Sequence, residues 1–202
     1  MDAHGENSIL IYGGANVSIT KEHIDEVLAE FSEGDILFLQ NEINNLPYLI
    51  DAAYQRGMHI FFNPSPYREE LKELDFTKLY CVVLNQLEAI AFSGAAKPMD
   101  CLHSLRERYP HLHIVITLGK DGCIYFDGSR IYEQKSFPVE PVDTTAAGDT
   151  FSGYFVAGLY RGETPEEILR KASMAAAIAT TRKGAAPSIP VLEEVEKAFT
   201  LD

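Results

Sequence analysis

The chain alternates short apolar runs with longer segments in which apolar positions recur at helical spacing. The short runs are rich in β-branched and aromatic residues, as buried strands are. They are S-I-L-I-Y (8–12), D-I-L-F-L (35–39), M-H-I-F-F (58–62), Y-C-V-V-L (80–84) and L-H-I-V-I (112–116). Strands that alternate with amphipathic helices predict an α/β fold, with a mostly parallel central sheet and helices on both faces.

Local signals support this pattern. Thr20 is placed to cap the first helix, and Gly57 is placed to end the second. The runs C-I-Y-F-D-G and R-I-Y-E-Q predict a β-hairpin that turns at Asp127-Gly128. The helices predicted after this hairpin lie near 148–161, 165–181 and 190–200. Because no repeat, low-complexity tract or linker interrupts the pattern, we expect a single domain over residues 1–202.

Polar residues follow four of the predicted strands where each strand ends. They are Gln40-Asn41-Glu42, Asn63-Pro64, Asn85 with Glu88 beyond it, and Thr117-Leu118-Gly119. The carboxyl ends of parallel strands lie along one edge of a sheet, and open α/β folds bind ligands at that edge. Any one of these residues is also explained by solvation of a strand end. Together they predict a ligand site there.

Composition narrows the class of protein. The chain is 46% hydrophobic and carries a net charge of −13, which fits a globular domain and argues against a nucleic-acid groove. No apolar run is long enough to span a membrane, and the first residues lack the pattern of a signal peptide, so we expect a cytoplasmic protein without a membrane partner. Cys81, Cys101 and Cys123 have no metal-ligand spacing and are expected to be buried thiols. The histidines are assigned no metal.

The segment V-D-T-T-A-A-G-D-T-F (142–151) places small residues between two aspartates at the predicted start of a helix. Small residues allow a tight bend, so that main-chain N–H groups at the positive end of the helix dipole point into one space and can bind an anion. Asp149 in the first turn suits a general base beside a transferring phosphoryl group. An aspartate is also favourable at a helix start without any chemical role.

These residues resemble a known family. D-T-T-A-A-G-D-T-F-S-G is similar to the D-T-x-G-A-G-D motif of the ribokinase family of carbohydrate kinases, with Ala146 at the position of the commoner glycine. Further matching segments are G-E-N-S-I (5–9), G-G-A-N (13–16), N-P-S-P (63–66), the N-x-x-E of Asn85 and Glu88, T-L-G-K-D-G (117–122) and T-R-K-G-A-A-P-S-I-P (181–190). The first, second and last of these favour the ribokinase branch.

The resemblance implies roles for individual residues. Asp149 would be the general base on the sugar hydroxyl, and the N–H groups of Ala147, Gly148 and Asp149 would form the anion hole. Glu42 would contact the sugar, and Glu88 would organise Mg²⁺ through water. The residues implied in ATP binding are Asn85, Thr117, Leu118, Gly119, Lys120, Asp121, Gly122, Gly148 and Ser173. Ser173 stands where many ribokinases have histidine or asparagine near the adenine.

The resemblance also implies a potassium ion beside the anion hole. Its ligands would come from Asp143, Thr145, Ala179, Arg182, Gly184 and Ser188. The two aspartates of the motif would then have different tasks, since Asp143 would hold the cation and Asp149 would accept a proton. The alternative for Asp143 is a carboxylate that only caps the loop.

The resemblance covers the C-terminal two thirds of a typical family member. The family's N-terminal strands, its glycine-rich sugar motifs and its lid have no counterpart, so we expect an N-terminally truncated ribokinase-like domain. The implied activity is transfer of the ATP γ-phosphate to the 5-hydroxyl of D-ribose. The alternatives are another sugar kinase of fructokinase or 2-keto-3-deoxygluconate kinase type, or an inactive nucleotide-binding module. The sequence leaves the sugar and the oligomeric state open, and a homo-oligomer is among the options.

Overall fold

The computed structural model describes residues 12–199, and the chain divides into two compact units, residues 1–79 and 80–202. The G-E-N-S-I motif (5–9) and all but the last residue of the strand predicted at 8–12 lie outside the described residues. The single-domain expectation remains a prediction.

Residues 12–79, the described part of the first unit, contain two strands and two helices. Helix α1 is Lys21–Leu28, strand β1 is Ile36–Gln40, helix α2 is Leu46–Gln55 and strand β2 is His59–Asn63, with short 3₁₀ turns at Gly14–Val17, Glu69–Glu73 and Phe76–Lys78. Strands β1 and β2 are parallel, with Gln40 opposite Asn63. The Thr20 hydroxyl accepts the N–H of His23 at 3.2 Å, which confirms the predicted cap. Gly57 follows α2 with φ +73°, as a C-terminal cap requires.

The second unit begins with a parallel strand pair and ends in three helices. Its elements are β3 (Cys81–Asn85), α3 (Gln86–Ser93), α4 (Pro98–Arg108), β4 (His113–Thr117), β5 (Cys123–Phe126), β6 (Ile131–Gln134), α5 (Ala147–Tyr160), α6 (Pro165–Thr180) and α7 (Leu192–Ala198). Strand β4 pairs in parallel with β3 and antiparallel with β5, and β5 pairs antiparallel with β6. Three of these helices lie within about two residues of their predicted positions.

The predicted hairpin is confirmed. The Asp127 carboxylate accepts the N–H groups of Ser129 and Arg130 at 2.8 and 2.6 Å, and Gly128 has φ +87°. Strand β5 is buried along its whole length, and the Tyr125 ring packs edge-on against Phe155 of α5, with centroids 5.0 Å apart. The core of this unit therefore joins the hairpin to the helix that carries the candidate site.

The three cysteines are buried and free, as predicted. Burial raises the pKa of Cys123 to about 11, so its thiol stays protonated at neutral pH.

Candidate active site

Helix α5 begins at a backbone bend. Ala146 precedes it in the left-handed conformation, with φ +60° and ψ 10°, a region that non-glycine residues rarely occupy. This explains why glycine is the commoner residue at that position of the motif. The N–H of Ala147 donates to the Thr144 carbonyl at 3.3 Å, and that of Thr150 donates to the Ala146 carbonyl at 2.8 Å. Between them, Gly148 and Asp149 are exposed to solvent at the positive end of the helix.

The space beside Gly148 is open. A Cβ added there would meet nothing within 4 Å. The first turn of α5 therefore presents main-chain N–H groups and the Asp149 carboxylate at an accessible surface. Anions bind readily at such a helix start.

Asp143 connects this helix start to the loop after α6. One carboxylate oxygen accepts the N–H of Thr145 at 3.0 Å, and the other accepts the N–H of Gly184 at 3.0 Å. The N–H of Asp143 itself donates to the carbonyl of Thr180 at 3.0 Å. Hydrogen bonds from Thr145 and Gly184 lower the pKa of Asp143 to about 2, so the carboxylate is ionised at neutral pH.

Asp143 and Thr145 of the predicted potassium set precede α5, and the buried Ala179 lies in the last turn of α6. The remaining three, Arg182, Gly184 and Ser188, lie in the loop after α6. Ser188 is fully buried, and its hydroxyl donates to the Ala185 carbonyl at 2.7 Å. The guanidinium of Arg182 pairs with Glu194 at the start of α7 at 2.9 Å, which anchors the loop from its other side. Within residues 12–199, no three His, Cys, Asp or Glu side chains cluster as a metal site would require. A cation here would be held largely by carbonyl and hydroxyl oxygens.

A cleft of about 690 Å³ opens beside the start of α5. Predicted nucleotide residues line it from three elements, namely Thr117, Gly119, Lys120, Gly122, Gly148 and Ser173. Ala147 and Thr144 also border it. The same cleft therefore joins the candidate anion site to the loop predicted to hold a nucleotide.

Leu118, Asp121 and Asn85 do not line this cleft. Leu118 and Asp121 support the loop instead, because the Leu118 N–H donates to the Gly122 carbonyl at 2.8 Å and the Asp121 N–H donates to the Leu118 carbonyl at 3.2 Å.

Gly122 is required by a close backbone approach. A Cβ at this residue would lie 1.9 Å from the carbonyl oxygen of Gln134 and 2.8 Å from the Cα of Lys135, and its φ is +102°. The Ser136 hydroxyl donates to the Lys120 carbonyl, which fixes the segment after β6 against the same loop. The close packing of this loop against the segment after β6 therefore requires glycine at residue 122.

Asn85 and Glu88 form a reciprocal cap at the start of α3. The Asn85 side chain accepts the N–H of Glu88 at 2.9 Å, and the Glu88 carboxylate accepts the N–H of Asn85 at 2.9 Å. Asn85 is exposed and lies opposite Thr117 in the β3–β4 register, at the carboxyl end of both strands. The N-x-x-E pattern therefore has a structural task in addition to the phosphate and magnesium roles implied by the resemblance.

Glu42 belongs to the first unit. It is exposed in the turn after β1, next to Asn41, whose side-chain amide donates to the Pro66 carbonyl at 2.7 Å. Its predicted contact with a sugar remains a prediction.

Sequence reasoning missed one wall of the cleft. Segment 136–141 (S-F-P-V-E-P) has no regular secondary structure, yet Phe137, Pro138, Val139 and Pro141 all line the cavity. Its composition offered a signal, because Phe137 and Val139 on either side of Pro138 place two large apolar side chains in a connection just before the Asp143 motif.

Known relatives identify the family of this chain. The sequence matches the pfkB family carbohydrate kinases over residues 1–192, and the chain belongs to that family. Its ribokinase-like α/β fold is confirmed by the ribokinase of Thermotoga maritima, which has a TM-score of 0.83 and 35% identity and covers 100% of this chain and 67% of its own.

Individual relatives are ribokinases and a deoxyribokinase. The chain is 34% identical over 201 residues to ribokinase of Bacillus subtilis, covering 98% of this chain and 66% of the relative, so it spans slightly less than two thirds of that length. Deoxyribokinase of Salmonella typhi is 28% identical and covers 100% of this chain and 68% of its own. Arabidopsis thaliana ribokinase, solved with ribose and ATP, has a TM-score of 0.78 and 27% identity and covers 96% of this chain and 65% of its own.

None of the helices described over residues 12–199 is both long and apolar enough to cross a membrane.

Proposed function

We propose that this chain carries the phosphoryl-transfer half of an ATP-dependent sugar kinase that phosphorylates D-ribose at its 5-hydroxyl. The observation that carries the proposal is the single cleft that is bordered both by the start of α5 and by loop 117–122. A nucleotide lying along this cleft would bring its terminal phosphate to the N–H groups at the start of α5, where Ala147 and Gly148 line the cleft and Asp149 follows them.

The transfer step uses Asp149 as the general base. Its carboxylate accepts the proton of the acceptor hydroxyl while that oxygen attacks the γ-phosphorus. A new sugar O–P bond forms, the bond between the γ-phosphorus and the bridging oxygen breaks, and ADP leaves with that oxygen. The N–H groups of the helix start stabilise the negative charge on the transferring group.

Magnesium and potassium fit the residues proposed for them. The buried Glu88 is fixed by its cap beside Asn85, as a residue acting on Mg²⁺ through water needs to be. The ionised Asp143 accepts hydrogen bonds from both loops. The other groups there that could bind a cation are carbonyl and hydroxyl oxygens, which are hard ligands suited to K⁺. When bound, the cations add positive charge near the phosphates, and Asp143 keeps the α5 start in place.

The choice of ribose draws on the named relatives. Most are ribokinases, one of them solved with ribose and ATP, but a deoxyribokinase matches with similar coverage. Deoxyribose is therefore the second candidate acceptor, and it has the same 5-hydroxyl. Glu42 would contact the sugar in either case.

A nucleotide-binding module without kinase activity is the other candidate. One observation favours it. All described residues that line the cleft belong to residues 80–202, whereas Glu42, the proposed sugar contact, belongs to residues 1–79. Calorimetric titration of the chain with ADP and then with ribose, followed by an assay for ribose phosphate with ATP as the donor, all in Mg²⁺ and K⁺, separates the two. Binding of ADP and ribose together with phosphorylation of ribose supports the kinase, whereas ADP binding alone supports the module.

Substitution of Asp149 tests the base. Asp149→Asn should lower kcat by roughly 10²–10⁴ while ADP binding changes little. Asp100→Asn is the matched control, because Asp100 is also an exposed aspartate in the first turn of a helix, α4. Near-normal kcat in Asp149→Asn, or an equal loss in both variants, would remove Asp149 from this role.

A further inference from the structure

We propose that the cleft does not read the identity of a purine base, so that guanosine and inosine nucleotides bind about as well as adenosine nucleotides. This inference rests on the proposed function, and it assigns the phosphate donor as purine nucleoside triphosphates in general. The observation behind it is the state of the polar side chains that line the cleft.

Three hydroxyls in the cleft already donate to main-chain carbonyls of the protein. Thr180 Oγ1 donates to Ala177 at 2.7 Å, and Thr117 Oγ1 donates to Leu84 at 3.3 Å. Ser136 Oγ donates to Lys120. A hydroxyl has a single proton, so these three groups can offer a base only acceptor lone pairs.

Ser173 is the fourth hydroxyl, at the position where the resemblance implies the adenine contact. Its Oγ lies 3.7 Å from Cys123 Sγ, and the residue is 8% exposed. A hydroxyl can rotate to accept from a 6-amino group or donate to a 6-oxo group, so it fits adenine, guanine and hypoxanthine alike. An asparagine or histidine would impose a more fixed pattern of donors and acceptors.

The other side chains of the described lining do not supply a base-specific contact. Phe137, Pro138 and Val139 form an apolar wall, and Ala176 and Ala177 of α6 contribute methyl groups. Among the described residues that line the cleft, Lys120 is the one charged side chain, and a flexible ammonium suits a phosphate better than a base edge. Thr144 lies at the phosphate end, three residues before α5.

A cleft lined mainly by apolar side chains discriminates weakly between ligands of similar shape. A pocket that matches a ligand by apolar packing separates close analogues by about 10- to 200-fold, whereas one that pairs specific polar groups reaches about 10⁴-fold or more. Adenine, guanine and hypoxanthine share one ring skeleton, so packing alone should separate them by no more than the low end of this range, about tenfold. A pyrimidine fills less of the cleft and should bind more weakly because it buries less apolar surface.

The test is calorimetric titration of the chain with ADP, GDP, IDP and CDP in Mg²⁺. We expect Kd values for the three purine nucleotides within about tenfold of one another, with CDP weakest. If ADP bound at least 100-fold more tightly than GDP, this inference would fail while the proposed kinase function stood. If no nucleotide bound to a chain that melts cooperatively, both would fail.

Two variants sharpen the result. Ser173→Ala removes the adaptable hydroxyl and should leave the ratio of the ADP and GDP dissociation constants unchanged within about twofold, as expected for a group that does not choose between them. Val139→Ala trims the apolar wall at a residue that is 40% exposed and should weaken all three purine nucleotides by a similar factor. A change of tenfold or more in the ratio in either variant would overturn the inference.

Discussion

The main-chain N–H of Gly184 donates to the carboxylate of Asp143 at 3.0 Å, although the two residues are 41 positions apart in the chain. This bond, with the one from Thr145 to the other carboxylate oxygen, joins the segment before α5 to the loop after α6. The arrangement of the candidate anion site therefore depends on the charge of one side chain.

The first prediction concerns pH. Hydrogen bonds lower the pKa of Asp143 from 3.8 to about 2 in the folded protein, so its contribution to stability is present above pH 3.8 and is lost as pH falls toward 2. Asp143→Asn should lower Tm at pH 7, and its difference from the unmodified chain should shrink over that acidic range. Thermal melts between pH 2 and 7 measure this, with Asp100→Asn as the control. A difference in Tm that does not depend on pH would contradict it.

Potassium provides the second prediction. Because Asp143 and the loop after α6 hold mainly oxygen ligands, K⁺ should raise kinase activity over Na⁺ or choline at equal ionic strength. Asp143→Asn should abolish the difference among the three cations. Initial rates in the three chloride salts decide it, and equal rates in the unmodified chain would count against a cation site here.

The third prediction concerns the bend before α5. Ala146 has φ +60°, so Ala146→Gly should relieve strain and raise the free energy of unfolding by about 1 kcal/mol. Ala157→Gly, inside the same helix, should instead lower it by about 1 kcal/mol. Urea unfolding of both variants gives the comparison. Destabilisation by Ala146→Gly would show that the left-handed alanine is not strained.

The fourth prediction concerns the cleft wall. Gly122→Ala should lower the free energy of unfolding by more than about 2 kcal/mol and weaken ADP binding, because the added methyl group would collide with the Gln134 carbonyl. Gly128→Ala is the matched control. It shares the left-handed φ, but the nearest atom to its added Cβ is 3.9 Å away, so only about 1–2 kcal/mol should be lost. Equal losses would mean that the close approach does not matter.

The fifth prediction separates the two tasks of Glu88. Glu88→Gln keeps an oxygen that can accept the Asn85 N–H, so stability should change little, but the loss of charge should raise the Mg²⁺ concentration needed for half-maximal activity. Glu88→Ala loses the cap as well and should be about 1 kcal/mol less stable than the Gln variant. If Glu88→Gln had an unchanged Mg²⁺ requirement, the residue would be structural only.

Much of the fold could be predicted from local sequence patterns. Alternating apolar runs, the Thr20 cap and the Asp127-Gly128 turn each depend on residues close in sequence. The structure confirms the cap, the turn and the four strands predicted within residues 12–199 before the hairpin. The capping box of Asn85 and Glu88 had the same kind of signal, because N-x-x-E at a helix start is typical of it. The family resemblance instead assigned Asn85 to ATP binding and Glu88 to Mg²⁺.

What could not be predicted depends on distant contacts. No periodicity marks residues 136–141, and their place in the cleft follows from the bond between Ser136 and Lys120, which lie 16 residues apart. The pairing of Arg182 with Glu194 likewise requires the start of α7 to return to the loop after α6. Such contacts depend on the folded backbone, which spacing along the chain does not specify.

The β5–β6 hairpin has a practical consequence for measurement. Its Asp127-Gly128 turn stands at the far end of two four-residue strands from Gly122, about 17 Å away at the usual rise of a strand. A fluorescent reporter attached at the exposed Ser129 would leave the cleft open, because no residue of this turn lines it. A change in its emission on adding ADP would then follow nucleotide binding continuously, without a radioactive or coupled-enzyme assay.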